Sequence, residues 1–259
     1  MTRLSSSYSV FPLGDSAITI DLGNCIDEYL NVKSIAIQDW LAARPFPGRL
    51  DIIAAYSSVT VFYDPARMVL ANVTGSVEIY PWLEGLLRQA WEESGDGIGG
   101  AGVSSEPATH PNDDARIVDI PVCYEGEHAP DLEKVAAQKG LSPKEVIEVH
   151  TGALYRVYMI GFLPGFPYLG RLDTRIEIPR KPQPEAVRAG GVGIAGMQTG
   201  IYPLDSPGGW WVIGRTPVKL FDAGAGSPAL LRAGDQVRFL SISPAEFREI
   251  SFANSSANL

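Results

Sequence analysis

A dense run of glycine, proline and aromatic residues between positions 161 and 217 constrains this chain more than any other feature of its sequence. Glycine permits positive φ angles and close backbone approach, whereas proline fixes φ and removes a hydrogen-bond donor. Interleaved Phe, Tyr, Trp, Leu and Ile residues supply buried area that a flexible linker lacks. The run therefore predicts a rigid, looped wall of a small β-structure, with backbone N–H groups free to face a ligand.

The composition is typical of a globular protein. The 259 residues are 45% hydrophobic and 20% charged, enough for one large domain or two small ones. The formal net charge of -9 comes without a long Lys/Arg run, which argues against nucleic-acid binding. No apolar stretch approaches the roughly 20 residues that span a bilayer, and the N-terminus lacks a signal-peptide core. We therefore expect a cytoplasmic protein that does not bind membranes.

The chain divides into two halves of different character, so we expect an α+β protein with two domains. Residues 1–93 predict a small, ferredoxin-like α+β domain with the order ββαββα. Residues 94–114 contain few apolar groups and predict a flexible linker. Residues 115–259 hold many short β segments separated by Gly and Pro turns, which predict a closed or nearly closed β-barrel. Within them, Ser142 and Glu145 form a capping-box pattern that starts a helix running to about His150.

Common catalytic signatures are absent from the sequence. It has no G-x-S-x-G, H-E-x-x-H or Walker A motif, and its carboxylates are too scattered to predict a metal site. His110 and His128 lie in polar segments, where we expect them to be solvated. Candidate chemistry must therefore come from residues within and beside the Gly/Pro/aromatic run.

His150 and a glycine-bounded polar segment are the candidate catalytic groups. His150 closes its predicted helix just before the run, either as a histidine favoured by the helix dipole or as a general acid/base at a pocket mouth. Gln198 and Thr199 lie between Gly196 and Gly200. This segment is either a hydrogen-bonded turn or a loop whose amide N–H groups cradle an oxyanion.

Cations beside these residues form a candidate anion site in an otherwise acidic chain. Arg180 and Lys181 stand between two prolines, which restrict the backbone. An arginine offers a bidentate partner for a carboxylate or phosphate. The alternative is that these cations lie on a solvated face of a strand. Arg215 is either a buried structural guanidinium or a ligand clamp, and Tyr202 is either barrel wall or a stacking surface for a ligand.

These motifs closely resemble the KipI/PxpB family, also called allophanate hydrolase subunit 1 or the first half of the carboxyltransferase module of urea carboxylases. The resemblance covers nearly the whole chain. The segments that carry it are GFLPGFPYLG at 161–170, AGMQTGIYP at 195–203, SPGGW at 206–210 and IGRTP at 213–217.

The resemblance implies a small N-terminal α+β domain followed by a cyclophilin-like β-barrel. It further implies the B subunit of an ATP-dependent 5-oxoprolinase, a hydrolase that opens 5-oxo-L-proline to L-glutamate together with its A and C subunits, and it implies that the B subunit is inactive by itself. ATP is the expected co-substrate, contact between ATP and this chain is left open, and no covalently bound group is expected. The alternatives are an inhibitor of a sensor histidine kinase and half of a biotin-dependent urea or amide carboxyltransferase.

These reactions share one physical requirement. Each activates an amide-like carbonyl, which places negative charge on oxygen, so fixed donors in a dry pocket are needed. With the resemblance, we expect catalytic roles for His150, Gln198 and Thr199, and no metal ligands. We expect the small amide or lactam substrate, or its anionic groups, to be bound by Arg180, Lys181, Gly196, Gly200, Tyr202 and Arg215.

Overall fold

The computed structural model describes residues 8–95 and 116–256. The chain forms two compact units, Met1–Asp113 and Asp114–Leu259. Most of the predicted linker, from position 96 onward, lies outside the described residues, and so does His110. Within the described ranges, no helix has both the length and the apolar character needed to cross a membrane.

In chain order, the elements of the first unit are β1 (Ser9–Pro12), β2 (Ala17–Asp21), α1 (Glu28–Ala42), β3 (Arg49–Ala54), β4 (Ser58–Tyr63), α2 (Pro65–Leu70) and α3 (Ile79–Glu93). The strands form a four-stranded antiparallel sheet with the order β1-β2-β4-β3. Alternate residues of these strands, among them Ile18, Ile20 and Val61, pack against helices α1 and α3 in one buried core.

The short helix α2 is an addition to the predicted order ββαββα. Its N-cap is Asp64, whose side chain accepts a hydrogen bond from the backbone N–H of Arg67 at 3.0 Å. Pro65 follows at the first helical position, where a missing N–H costs nothing. The sequence therefore did carry a start signal for this helix.

The second unit contains the predicted β-barrel. Its elements are β5 (Ile117–Cys123), α4 (Leu132–Lys139), α5 (Pro143–Thr151), β6 (Leu154–Ile160), β7 (Pro167–Gly170), β8 (Glu185–Val187), β9 (Gly191–Ala195), β10 (Gln198–Ile201), β11 (Ser206–Gly208), β12 (Trp211–Arg215), β13 (Gln236–Ile242) and α6 (Pro244–Ser256), with a 3-10 turn at Gly126–His128. The barrel is closed in the order β10-β7-β6-β13-β5-β12-β9. Strand β13 runs parallel to β5 and antiparallel to β6, and β8 pairs with β11 in a separate ribbon.

Helix α5 delivers His150 to the core of this barrel unit. The predicted capping box is present: the Ser142 hydroxyl accepts from the Glu145 N–H at 3.2 Å, and the Glu145 carboxylate accepts from the Ser142 N–H at 2.7 Å. The helix continues through His150 to Thr151. Val146 and His150 are four residues apart on one helix face, and both are fully buried.

Candidate functional site

The structure separates the predicted site residues into different parts of the second unit. His150 and Thr199 lie in the barrel core. Arg180, Lys181 and Tyr202 line one cavity, here called the aromatic cavity. Arg215 lines another, here called the arginine cavity.

His150 is held by hydrogen bonds at both ring nitrogens. Its Nδ1 lies 2.8 Å from the Tyr124 hydroxyl, and its Nε2 lies 3.0 Å from Thr199 Oγ1. Thr199 donates its own proton to the Gly193 carbonyl at 3.1 Å, so its oxygen accepts from His150 Nε2–H. Nδ1 then accepts from the Tyr124 hydroxyl. Burial lowers the pKa of His150 to about 3, which keeps this ring neutral.

The network places His150 inside the protein rather than at the expected pocket mouth. His150 and Thr199 are both 0% exposed, and the His150 ring stacks on Phe239 with centroids 4.5 Å apart. Tyr124, which sequence reasoning missed, completes the network from the end of β5. Catalytic roles for His150 and Thr199 stay predictions, and their surroundings favour positioning of β10 against α5.

The segment at 196–200 is a hairpin turn and a strand, which agrees with the first of the two alternatives, a hydrogen-bonded turn, rather than with an open loop. Gly196 and Met197 turn between β9 and β10, and β10, beginning at Gln198, pairs with β9 on one side and β7 on the other. The Gly196 N–H donates to the Ile178 carbonyl at 2.6 Å. Because a strand paired on both sides directs its N–H groups to its neighbours, β10 does not form the expected oxyanion cradle.

Gly200 is needed for space rather than for anion binding. A Cβ at this position would lie 2.8 Å from the Pro167 carbonyl oxygen and 2.9 Å from the Phe166 ring. The absence of a side chain allows the Phe166 ring to pack directly on the strand. This ring is part of the lining of the aromatic cavity.

The aromatic cavity has a volume of about 350 Å³ and a rigid wall. Phe166 contacts the rings of Tyr168, Tyr202 and Trp210 edge to face, with centroids 4.9, 5.2 and 5.5 Å apart. The Tyr202 hydroxyl accepts a hydrogen bond from the Trp210 backbone N–H. Such mutually packed rings keep a fixed shape and exclude water from an apolar ligand.

Phe162 covers the edge of this cavity in a strained conformation. Its φ is +68°, and the Leu163 N–H donates to the Gly161 carbonyl at 2.9 Å across a tight turn. A bulky residue at positive φ is uncommon and costs conformational energy. The ring is 62% exposed and stands edge to face with Phe166. The strain therefore holds an aromatic ring outside the core and beside the cavity.

Arg180 is the cation of the aromatic cavity that has no hydrogen-bond or ion-pair partner among the described residues. Within residues 8–95 and 116–256, no hydrogen bond or ion pair reaches its exposed guanidinium. Burial raises the pKa of Tyr168 and of Tyr202, and the charge of Arg180 opposes the rise at both. The charge of Arg180 therefore acts on both hydroxyl groups of the aromatic wall, and an anionic ligand group in this cavity would lie near that charge.

Lys181 is instead fully occupied by carboxylates. Its Nζ lies 2.6 Å from Asp131 Oδ2 and 2.7 Å from Glu185 Oε2, and Asp131 also accepts the Val212 N–H at 2.8 Å. Burial on its own lowers the pKa of Lys181, but the hydrogen bonds to Asp131 and Glu185 outweigh it and the pKa stands above its ordinary value. Lys181 stays charged and fixes the cavity wall.

The arginine cavity has a volume of about 330 Å³ and contains Arg215, Arg188, Glu127 and His128. Arg215 donates from Nε to the Ala189 carbonyl at 2.8 Å, and Arg188 lies 3.2 Å from the Glu127 carboxylate. His128, expected to be solvated, has an enclosed Nδ1 with no partner among the described residues. Arg215 and Arg180 therefore serve different cavities, although the sequence suggested one anion site.

Comparisons with known proteins place the chain in one family. Its residues 8–231 match the carboxyltransferase domain, subdomain C and D. It is 44% identical to the B subunit of 5-oxoprolinase from Bacillus subtilis over 93% of this chain and 95% of that protein. It is 47% identical to the B subunit of 5-oxoprolinase from Escherichia coli O157:H7 over 60% of this chain and 65% of that protein.

The fold agrees with that assignment. The crystal structure of the K. lactis urea amidolyase superposes with a TM-score of 0.73 at 20% identity, covering 98% of this chain and 16% of that one. At this identity the likeness concerns the fold alone. On the sequence match along most of its length, the chain belongs to the family of carboxyltransferase domains, subdomains C and D.

Proposed function

We propose that the chain is the B subunit of an ATP-dependent 5-oxoprolinase, which opens 5-oxo-L-proline to L-glutamate. The observation that carries the proposal is the identity with the B subunit of the Bacillus subtilis 5-oxoprolinase along almost the full length of both chains. Similarity to the Saccharomyces cerevisiae urea amidolyase spans 42% of this chain and 6% of that protein, which supports the carboxyltransferase alternative less strongly.

The aromatic cavity is the proposed substrate site. 5-Oxoproline is a small lactam with one carboxylate, so it needs an apolar wall and one cation. Arg180 supplies a guanidinium for two parallel hydrogen bonds to the carboxylate. Phe166, Tyr202 and Trp210 supply the wall for the ring, in a cavity of about 350 Å³. Lys181 is already paired with two carboxylates, so we propose that it holds Arg180 and the cavity wall in place and does not bind the substrate itself.

The chain's own contribution is then binding and orientation. Opening the lactam requires negative charge on its carbonyl oxygen, and ATP, as consumed co-substrate, drives that activation. Most of the segment expected to form an oxyanion cradle belongs to strand β10, which is paired on both edges. We therefore propose that the A and C subunits supply the groups that activate the carbonyl and deliver water, that the chain alone is inactive, and that the complex works in the cytoplasm.

The proposal is tested with the assembled complex. The chain is purified with its cognate A and C subunits, and glutamate release is measured with 5-oxoproline and ATP. Arg180→Gln should raise the KM for 5-oxoproline by about tenfold or more, because a charge-assisted bidentate contact is lost.

Arg175→Gln is the matched control, because Arg175 is an exposed arginine already paired with Asp173 at 2.8 Å. Its KM should equal that of the unmodified complex. A verified complex that releases no glutamate would remove the proposed activity. An unchanged KM in Arg180→Gln would remove the proposed substrate site and leave the activity standing.

A further inference from the structure

The arginine cavity contains charged groups that the proposed function does not use. We propose that it binds the phosphoryl group of a small phosphate compound, held by Arg215, Arg188 and His128. The inference is independent of the proposed function, because none of these residues lines the aromatic cavity.

The charge around the cavity favours a dianion. Arg188 and Arg215 line it, and Arg248 of helix α6 adds to the positive field at His128. Glu127 is the opposing carboxylate, and it is shared with Arg188 at 3.2 Å. A phosphate monoester carries about -1.5 to -2 charges at neutral pH, which matches the excess of arginine better than a single carboxylate does.

Arg215 is oriented for such a ligand. The hydrogen bond from its Nε to the Ala189 carbonyl, at 2.8 Å, fixes the plane of the guanidinium, which lies 5.8 Å from the centroid of the Phe247 ring. In the described part of the chain its terminal nitrogens have no hydrogen bond or ion pair. A fixed guanidinium with free terminal N–H groups is the usual bidentate partner of a phosphate.

His128 is positioned by packing rather than by hydrogen bonds. Its ring lies 4.2 Å from the Phe247 ring, between centroids. Among the described residues neither ring nitrogen has a partner, and Nδ1 is enclosed, so Nε2 is the nitrogen available to a ligand. Burial lowers the pKa of His128. The positive charges of Arg215, Arg248 and Arg188 lower this pKa further, whereas the negative charge of Glu127 raises it. A bound phosphate would reverse the effect of the arginines and favour donation from the imidazole.

The rest of the lining limits the size of the ligand. Pro130, Ala186, Val187 and Val212 give the cavity an apolar side. Its volume of about 330 Å³ lies near the lower end of the range of small-molecule pockets, about 300–1,000 Å³. The site therefore fits a phosphoryl group with a short organic body.

Calorimetric titration of the full chain with inorganic phosphate tests the inference without partner subunits. We expect saturable binding that Arg215→Gln weakens at least tenfold and His128→Gln weakens several-fold. Glu127→Gln should strengthen binding several-fold, because it frees Arg188 for the ligand. This gain cannot be produced by misfolding, and Arg175→Gln is the control for the loss of one exposed positive charge.

Competition identifies the source of the phosphoryl group. Displacement of phosphate by phenyl phosphate but not by ATP supports a small monoester, whereas displacement by both supports a nucleotide phosphate. The inference is overturned if the chain shows no saturable phosphate binding. It is equally overturned if Arg215→Gln and Glu127→Gln bind phosphate as the unmodified chain does, or if Arg180→Gln is the variant that abolishes binding.

Discussion

The Nζ of Lys181 lies 2.6 Å from Oδ2 of Asp131, and the two side chains are only 6% and 2% exposed. Removal of the cation would leave a buried carboxylate without its main partner. We expect Lys181→Met to lower the free energy of unfolding by about 3–5 kcal/mol, measured by urea denaturation.

Lys134→Met is the matched control for this prediction. Lys134 also approaches Asp131, at 3.6 Å, but its side chain is 62% exposed. Solvent screens such a pair, so we expect its loss to change the free energy of unfolding by no more than about 1 kcal/mol. Equal effects of the two substitutions would contradict a special role for the buried pair.

The buried His150 predicts an acid sensitivity of the barrel unit. Burial lowers its pKa from 6.5 to about 3, so the unfolded chain binds the proton first as the pH falls. The fold therefore has its full stability, as far as His150 is concerned, above pH 6.5. This contribution to the free energy of unfolding is lost as the pH falls from 6.5 to 3. By pH 5 the loss amounts to about 2 kcal/mol.

His150→Gln should remove that part of the pH dependence, measured as the free energy of unfolding between pH 8 and pH 5. His128, whose pKa burial also lowers, is present in both proteins and cancels in the comparison. If the free energy of unfolding of the variant falls with pH as steeply as that of the unmodified chain, His150 is not held neutral by the fold.

Two glycines should respond to alanine in opposite directions. Gly200→Ala forces a methyl group against the Pro167 carbonyl and the Phe166 ring, so we expect it to lower the free energy of unfolding by about 1–3 kcal/mol. Gly85, in helix α3, has open space where a Cβ would stand, with nothing within 4 Å. Gly85→Ala should therefore raise the free energy of unfolding by about 0.5–1 kcal/mol. Urea denaturation measures both, and a stabilising Gly200→Ala would contradict the close contact.

The strained Phe162 gives a prediction that separates stability from binding. With its φ of +68°, Phe162→Gly relieves the backbone and Phe162→Ala does not. We expect the glycine variant to be more stable than the alanine variant by about 1 kcal/mol. Both should raise the KM for 5-oxoproline to a similar extent, because each removes the ring beside the cavity. A KM change in only one of them would argue against that ring as a cover.

Local chemistry in the sequence predicts local structure well. The capping box at Ser142 and Glu145 starts helix α5 where expected, because both partners of its hydrogen bonds lie within four residues. The same reasoning applies to Asp64 and Pro65 at the start of α2, a start signal that the predicted element order leaves out. The Gly and Pro turns that separate the short β segments likewise predict the barrel.

Long-range packing sets the limits of prediction for the candidate site. Lys181 stands out in the sequence for its proline neighbours, but its partner Asp131 comes from the start of a helix far earlier in the chain. In the sequence, Gly200 bounds either a hydrogen-bonded turn or an anion-binding loop, whereas in the fold the Phe166 ring occupies the space above it. Arg180 and Arg215 fall in the same segment of sequence, and only the fold shows that they line separate cavities.

Strand β13, which lies between β5 and β6, has a consequence for synthesis on the ribosome. The strand spans Gln236–Ile242, so the edges of β5 and β6 that face it stay open until residue 242 has emerged. Open edges invite pairing with other chains. The sheet of the first unit, in contrast, is complete once Tyr63 has appeared. A nascent chain thus passes through a vulnerable interval that ends only when β13 has been synthesised.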